Sequence, residues 1–266
     1  MARTPGAPAS PRPRSLLPRE HGAYAEMAFP QVTALVLGGF SAGSLAFCVL
    51  ILGAFLSHEP ALVLLRHRGE RLHRQEGARA RRRVLWLGVG LVVDAFLWFT
   101  LAPPAARVAV LLLIPLALAL VWLVSRKREK GLAGEMLVAL FFALASVPTA
   151  LSGNASPDAA FAVAEVWAAG LVLVTLAVRA VITRFKHRRH GPSIVVGLLA
   201  TVALAVAVRS FLASEADRAL LGLAPPAAVV LAVMAAGLKP RHLRVMGWLA
   251  VAANLVTFLI LVGAVG

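Results

Sequence analysis

Acid is scarce in this sequence. Asp and Glu number 12 against 27 Lys and Arg, and the three aspartates, Asp94, Asp158 and Asp217, stand alone. No DxxxD pair exists, so the usual carboxylate clasp for Mg²⁺ and a pyrophosphate is excluded. There is one cysteine, Cys48, which rules out an intrachain disulfide. There is one tyrosine, Tyr24. GxxxxGKS/T and HExxH are absent, which removes the common nucleotide and zinc-protease signatures. His and Glu occur at no recognised ligand spacing, so no metal and no cofactor is expected. No repeat of 20–50 residues is visible.

What is abundant is apolar. Hydrophobic residues make up 60% of the 266 and charged residues 15%. Soluble domains run at about 45–50% and about 25%. The chain therefore reads as an all-α integral membrane protein with no sizeable soluble domain. A helix needs about 20 apolar residues to cross a bilayer. Spans are expected at 23–39, 43–64, 84–101, 107–124, 132–151, 159–181, 192–212, 219–238 and 245–265, nine in all. The first two are separated at GGFSAGS (38–44), where Gly and Ser favour a turn. Pro30, Pro115, Pro148 and the pair Pro225–Pro226 are expected to kink helices or stand near their ends.

Residues 1–19, rich in Pro and Arg, read as a disordered cytoplasmic tail, and 20–266 as one polytopic helical domain. The cations orient it. Four lie in the tail, eight in 66–83, four in 126–130, five in 179–189 and three in 239–244. With nine spans and the N-terminus inside, that places 24 on the cytoplasmic face and three, Arg107, Arg209 and Arg218, on the other. Reading 22–56 as a single span changes the ratio to 20 against seven. The expected location is the bacterial inner membrane, N-terminus in and C-terminus out. The positive charge is that of cytoplasmic loops and not of a nucleic-acid module, so no nucleic acid is expected as a partner.

Ionisable groups at membrane depth face protein or a cavity, so their distribution carries information. His21, Tyr24 and Glu26 open the first span, and His58 and Glu59 close the second. Glu135 opens the fifth. Arg184 and Lys186 lie in RFKHRRH (184–190), and Arg241 and Arg244 precede the last span. All map to the cytoplasmic side, while Asp94 falls mid-span. Each has a structural alternative. Glu26 suits a helix N-terminus, and Tyr24 an interfacial aromatic. His58 and Glu59 suit a helix end. Glu135 suits a pairing with an arginine of RKREK (126–130), and Asp94 a buried structural acid as well as a proton relay. Taken together, the groups fit a cytoplasm-facing mouth for an anionic-headed lipid, since arginine forks match phosphate geometry.

Four segments carry a resemblance. PREHGAYAEMAFP (18–30), SHEPALVLLRHR (57–68), RKREKGLAGEMLVALFFALASVP (126–148) and KPRHLRVMGW (239–248) together resemble the YwiC-like family of bacterial membrane proteins. The most specific element is His21–Gly22–Ala23 followed by an aromatic. The family typically has Trp where this chain has Tyr24, and an apolar residue near Glu26. A more distant likeness is to UbiA-type prenyltransferases, which implies a nine-helix bundle with a cytoplasm-side cavity. Those enzymes carry Asp-rich motifs where this chain has SHEPALVLLRHR and RAVITRFKHRRH (179–190). Mg²⁺-dependent prenyl transfer is accordingly not implied.

Three functions are expected in turn. The first is a protein that binds or modifies an isoprenoid or phospholipid. His21 is its general acid or base, with an unperturbed pKa of about 6.5, assisted by Glu26, His58 and Glu59. Tyr24, Glu135, Arg184, Lys186, Arg241 and Arg244 hold its ligand. The second is a non-catalytic membrane subunit or scaffold. The third, a transporter, needs midplane polar groups and repeated halves, of which only Asp94 is present.

Overall fold

The structure, a computed structural model, describes residues 15–17, 21–187, 190–212 and 215–265; the side chains of 21, 187, 212 and 215–217 lie outside the description. All regular structure among the described residues is helical, with no strand among them. The helices are α1 (His21–Gly38), α2 (Ala42–Leu64), α3 (Glu70–Leu101), α4 (Pro104–Ala109), α5 (Leu113–Ser125), α6 (Leu132–Leu144), α7 (Ser146–Ser152), α8 (Pro157–His187), α9 (Gly191–Leu212), α10 (Ala224–Ala235) and α11 (Leu243–Val265). Short 3₁₀ segments precede α5, α10 and α11.

Eight helical runs are long and apolar enough to cross a bilayer: Ala42–Leu64, Glu70–Leu101, Pro104–Ser125, Leu132–Ser152, Pro157–Lys186, Gly191–Phe211, Arg218–Ala235 and Pro240–Val265. The chain is thus a multi-span, all-α membrane protein. Helix α1 is not among the eight. Its 18 residues include Glu26, Gln31 and Thr33, and the reason it carries them is its position. It packs against α6, α7, α8 and α11. A helix packed by protein on most of its sides needs apolar surface only on what stays open, and the large side chains α1 leaves exposed are Val32 and Val36.

The chain forms two compact units. One comprises Met1–Arg19 and Gly53–Leu91, the other Glu20–Leu52 and Val92–Gly266. In the smaller unit, the end of α2 turns back into α3 through residues 65–69. Arg66 adopts φ +60° and Gly69 φ +93°. The N–H of His67 donates to the carbonyl of Leu62 (3.0 Å) and that of Arg66 to Val63 (3.1 Å), the bond pair of a Schellman cap. Leu16 is buried with Val63 and Ala80. Helix α3 begins 14 residues before its expected apolar start at 84. The extension is held along its length by Arg74–Glu70 (3.4 Å) and Arg79–Glu76 (3.4 Å) pairs.

In the larger unit, α1 and α2 part at the expected turn. Gly39 has φ +88°. Ser41 and Ser44 cap the start of α2 reciprocally: the Ser44 N–H donates to Ser41 Oγ (3.0 Å) and the Ser41 N–H to Ser44 Oγ (2.9 Å). Ser41 Oγ then donates to the carbonyl of Ser152 (2.6 Å), joining the turn to α7. The approach is close enough to require glycine. A β-carbon on Gly38 would lie 2.3 Å from the Ala150 carbonyl oxygen, and one on Gly153 would lie 2.4 Å from that of Gly39. Pro225 stands at the start of α10, where its missing N–H costs nothing. Pro30 lies inside α1.

The interior of this unit is apolar around Trp167, Val163, Val166 and Leu261. Several polar groups within it are paired, as a low dielectric favours. Trp167 Nε1–H donates to Thr33 Oγ1 (3.2 Å), and the ring stacks on Phe29 at 6.0 Å. Trp98 Nε1–H donates to Ser152 Oγ (3.1 Å). Thr149 Oγ1 donates to Gln31 Oε1 (2.6 Å), with Cys48 Sγ 3.6 Å from the same oxygen.

Candidate functional site

Helices α8, α10 and α11 meet at one end of the larger unit around Val181, Val233 and Met246, with Leu238 and Leu243 packed beside them. The basic segments emerge there. Arg184, in the last turn of α8, donates from Nη2 to the carbonyl of Leu238 (3.0 Å), and its guanidinium lies 5.8 Å from the centre of the Phe185 ring. That bond fixes the end of α8 to the segment after α10. Arg241 reaches His242 Nε2 from Nε (3.2 Å), while the Lys239 N–H lies 3.3 Å from His242 Nδ1. A neutral imidazole accepts at one nitrogen only, so one of the two contacts holds at a time. Lys186 and Arg244 are exposed. None of Arg184, Lys186, Arg241 and Arg244 has a carboxylate partner among the described residues.

The acids sit elsewhere in this network. Glu135, in the first turn of α6, receives a two-pronged bond from Arg179 of α8. Arg179 Nε donates to Oε2 (2.6 Å) and Nη2 to Oε1, and Nη2 also reaches the Lys130 carbonyl. One guanidinium thus joins α8 to α6 and to the segment before it. The partner of Glu135 is therefore a helix residue and not an arginine of the 126–130 loop. The cation count places Arg179 with the cytoplasmic charges of 179–189. Its place inside the expected span 159–181 was the signal that it would need an acid, because a cation at membrane depth is costly alone.

In the smaller unit Glu59 is taken up in the same way. Arg68 Nε donates to Oε1 (3.0 Å) and Nη2 to Oε2 (2.6 Å), and the Glu59 side chain is 12% exposed. Helix α2 runs on past His58 and Glu59 to Leu64, so these residues lie in its body and not at its end. His58 is exposed. Tyr24 and Glu26 are half-buried on the first turns of α1. His21 opens α1, and its side chain lies outside the described residues.

Asp94 lies on α3, four residues before the buried Trp98. Its Oδ2 is buried and has no hydrogen-bond partner among the described residues. Among those residues no three His, Cys, Asp or Glu side chains converge as metal ligands would.

The arrangement of the larger unit separates charge by role. Glu135 is matched by Arg179 where α6 and α8 pack, and Arg184, Lys186, Arg241 and Arg244 have no carboxylate partner among the described residues where the helices end. Such an end can take a phosphate, pyrophosphate or carboxylate through fork-like donors. No curated protein and no solved structure matches the chain. The model of the YwiC-like protein family does match, over residues 17–150, which is half of the sequence and includes α1 to α6. The chain belongs to the YwiC-like protein family.

Proposed function

We propose that this membrane protein binds an anionic-headed lipid, an isoprenoid or a phospholipid, at the basic end formed by α8, α10 and α11. One observation carries the reading: Arg184, Lys186, Arg241 and Arg244 lack carboxylate partners while the nearby acid Glu135 is already held by Arg179. Cations that are not neutralised internally attract an external anion, and lipid phosphate is the anion at hand at a bilayer surface. On this reading the protein crosses the membrane nine times with a cytoplasmic N-terminus, in a bundle of the UbiA kind, and resides in the bacterial inner membrane.

Modification of the lipid, as opposed to binding, then falls to His21 and Glu26 of the larger unit. Glu59 is a poor general base while two arginine nitrogens occupy its oxygens. That same pair favours the second reading, a non-catalytic membrane subunit.

Mass spectrometry of lipids retained by protein purified in nanodiscs tests the proposal. Wild type is compared with Arg241→Gln/Arg244→Gln and with His21→Ala. A specific anionic lipid enriched in wild type and lost in the double variant is the expected result. Retention in His21→Ala together with loss of any turnover assigns His21 to chemistry. The same bulk lipids in all three proteins overturn the reading and leave the subunit role.

A further inference from the structure

The α3 extension in the smaller unit carries a second basic feature, which does not depend on the site above. Between Glu70 and Val84 the helix bears Arg71, Arg74, Arg79, Arg81, Arg82 and Arg83. Arg74 is spent on Glu70 and Arg79 on Glu76. Arg81, Arg82 and Arg83 have no ion-pair or hydrogen-bond partner among the described residues. Arg81 and Arg82 are exposed and Arg83 half-buried.

The next turns of the helix are apolar and equally open. Leu85 is 62% and Trp86 69% exposed, and Val89, one turn on, is 49% exposed. Successive residues turn about 100° around a helix. Arg82, Trp86 and Val89 therefore share one side, with Arg81 and Leu85 beside them. Arg82 and Trp86 are about 6 Å apart along the axis. Within one turn, an open face changes from guanidinium to indole and aliphatic. That is the chemical profile of a bilayer at its headgroup layer: phosphate outside, Trp at the border, acyl chain inside.

We propose that Arg81, Arg82 and Arg83 form a collar for anionic phospholipid headgroups, with the acyl chains lying along Leu85, Trp86 and Val89. An acidic protein or a nucleic acid would match the arginines alone. A phospholipid matches both halves of the face, because phosphate and chain belong to one molecule. Three adjacent cations also point around the helix in three directions, so they engage separate headgroups instead of one multivalent ligand.

Trp86 supplies the reporter. Its fluorescence, taken as the difference between wild type and Trp86→Phe, is measured in vesicles of phosphatidylcholine. Brominated phosphatidylglycerol or brominated phosphatidylcholine is then added as quencher. The expected result is half-quenching at a several-fold lower mole fraction of the brominated phosphatidylglycerol. The preference should shrink at 1 M salt, where the Debye length falls to about 3 Å, and vanish in R81Q/R82Q/R83Q. Equal quenching by the two lipids in wild type overturns the proposal. If the triple variant fails to insert, the wild-type salt series decides, and a preference indifferent to salt also overturns it.

Discussion

At the scale of single residues, the membrane interior makes each polar contact measurable. Trp167 and Thr33 are both fully buried and hydrogen-bonded to one another across α8 and α1. Thr33→Val removes the acceptor and strands the indole N–H. Hydrogen bonds between membrane helices average about 0.6 kcal/mol and reach about 1.7, so a loss within that range is expected. A double-mutant cycle with Trp167→Phe, followed by unfolding in bicelles, reads the coupling directly. Gly38→Ala should cost more, about 2–3 kcal/mol, because the added carbon meets backbone that cannot rotate aside. The glycine was visible in GGFSAGS as a turn signal, but its second role was not. Nothing in the sequence says that residue 150 lies against residue 38. The same holds for Thr33, whose partner is 134 positions away. Composition shows that a polar group enters the membrane, and only the fold shows what satisfies it.

At the scale of elements, helices were legible where they are apolar. The turn at 38–44 is where expected, eight of the nine expected spans fall on helical runs long and apolar enough to cross a bilayer, and the expected 23–39 falls on α1, which is not one of the eight. The ends were less legible. Helix α3 starts at Glu70 and α8 continues to His187, because a polar helix outside the bilayer carries no hydropathy signal. Nor do all the caps follow residue preference. Arg66, Lys127 and Asn154 take left-handed backbone where helices end, at φ +60°, +56° and +80°. Gly usually fills that position. Lys127→Gly should therefore stabilise the end of α5 by about 1 kcal/mol, the steric cost of a β-carbon there, seen as a higher thermal midpoint in detergent. The α6–α8 contact offers the opposite case. Glu135→Gln removes one of the two acceptors that Arg179 has on residue 135, and Arg179→Gln takes the two-pronged donor from Glu135. Both side chains are partly exposed, at 41% and 28%, so solvent screens the pair and each single change should cost about 1 kcal/mol. The double variant should cost less than the sum of the two singles. Strict additivity in the same thermal assay would show that the two groups do not act as a pair.

At the scale of the whole molecule, the question is whether α1 crosses the membrane. Hydropathy alone sets it apart from the eight apolar runs. Its contacts explain why: α6, α7, α8 and α11 stand around it, and Gln31 and Thr33 bond inward to Thr149 and Trp167. An interior helix can be polar and still span, since the energetic demand for apolar surface falls on the helices that meet lipid. The cations agree, with 24 against three when α1 crosses and 20 against seven when α1 and α2 count as one span. Here the two kinds of signal in the sequence diverge, and the charge count carries more weight because it sums over every loop. Accessibility decides the matter. In a Cys48→Ala background, single cysteines at Leu17, Phe40, Arg128 and Asn154 are labelled with an impermeant maleimide in right-side-out and inverted vesicles. If α1 spans, Leu17→Cys and Arg128→Cys label only from the cytoplasmic side, and Phe40→Cys and Asn154→Cys only from the other. If α1 folds in without crossing, Leu17→Cys and Phe40→Cys label from the same side. That outcome would put the Tyr24–Glu26 turn and the basic helix ends on opposite faces of the membrane, and the proposed lipid site would then have to be built from α8, α10 and α11 alone.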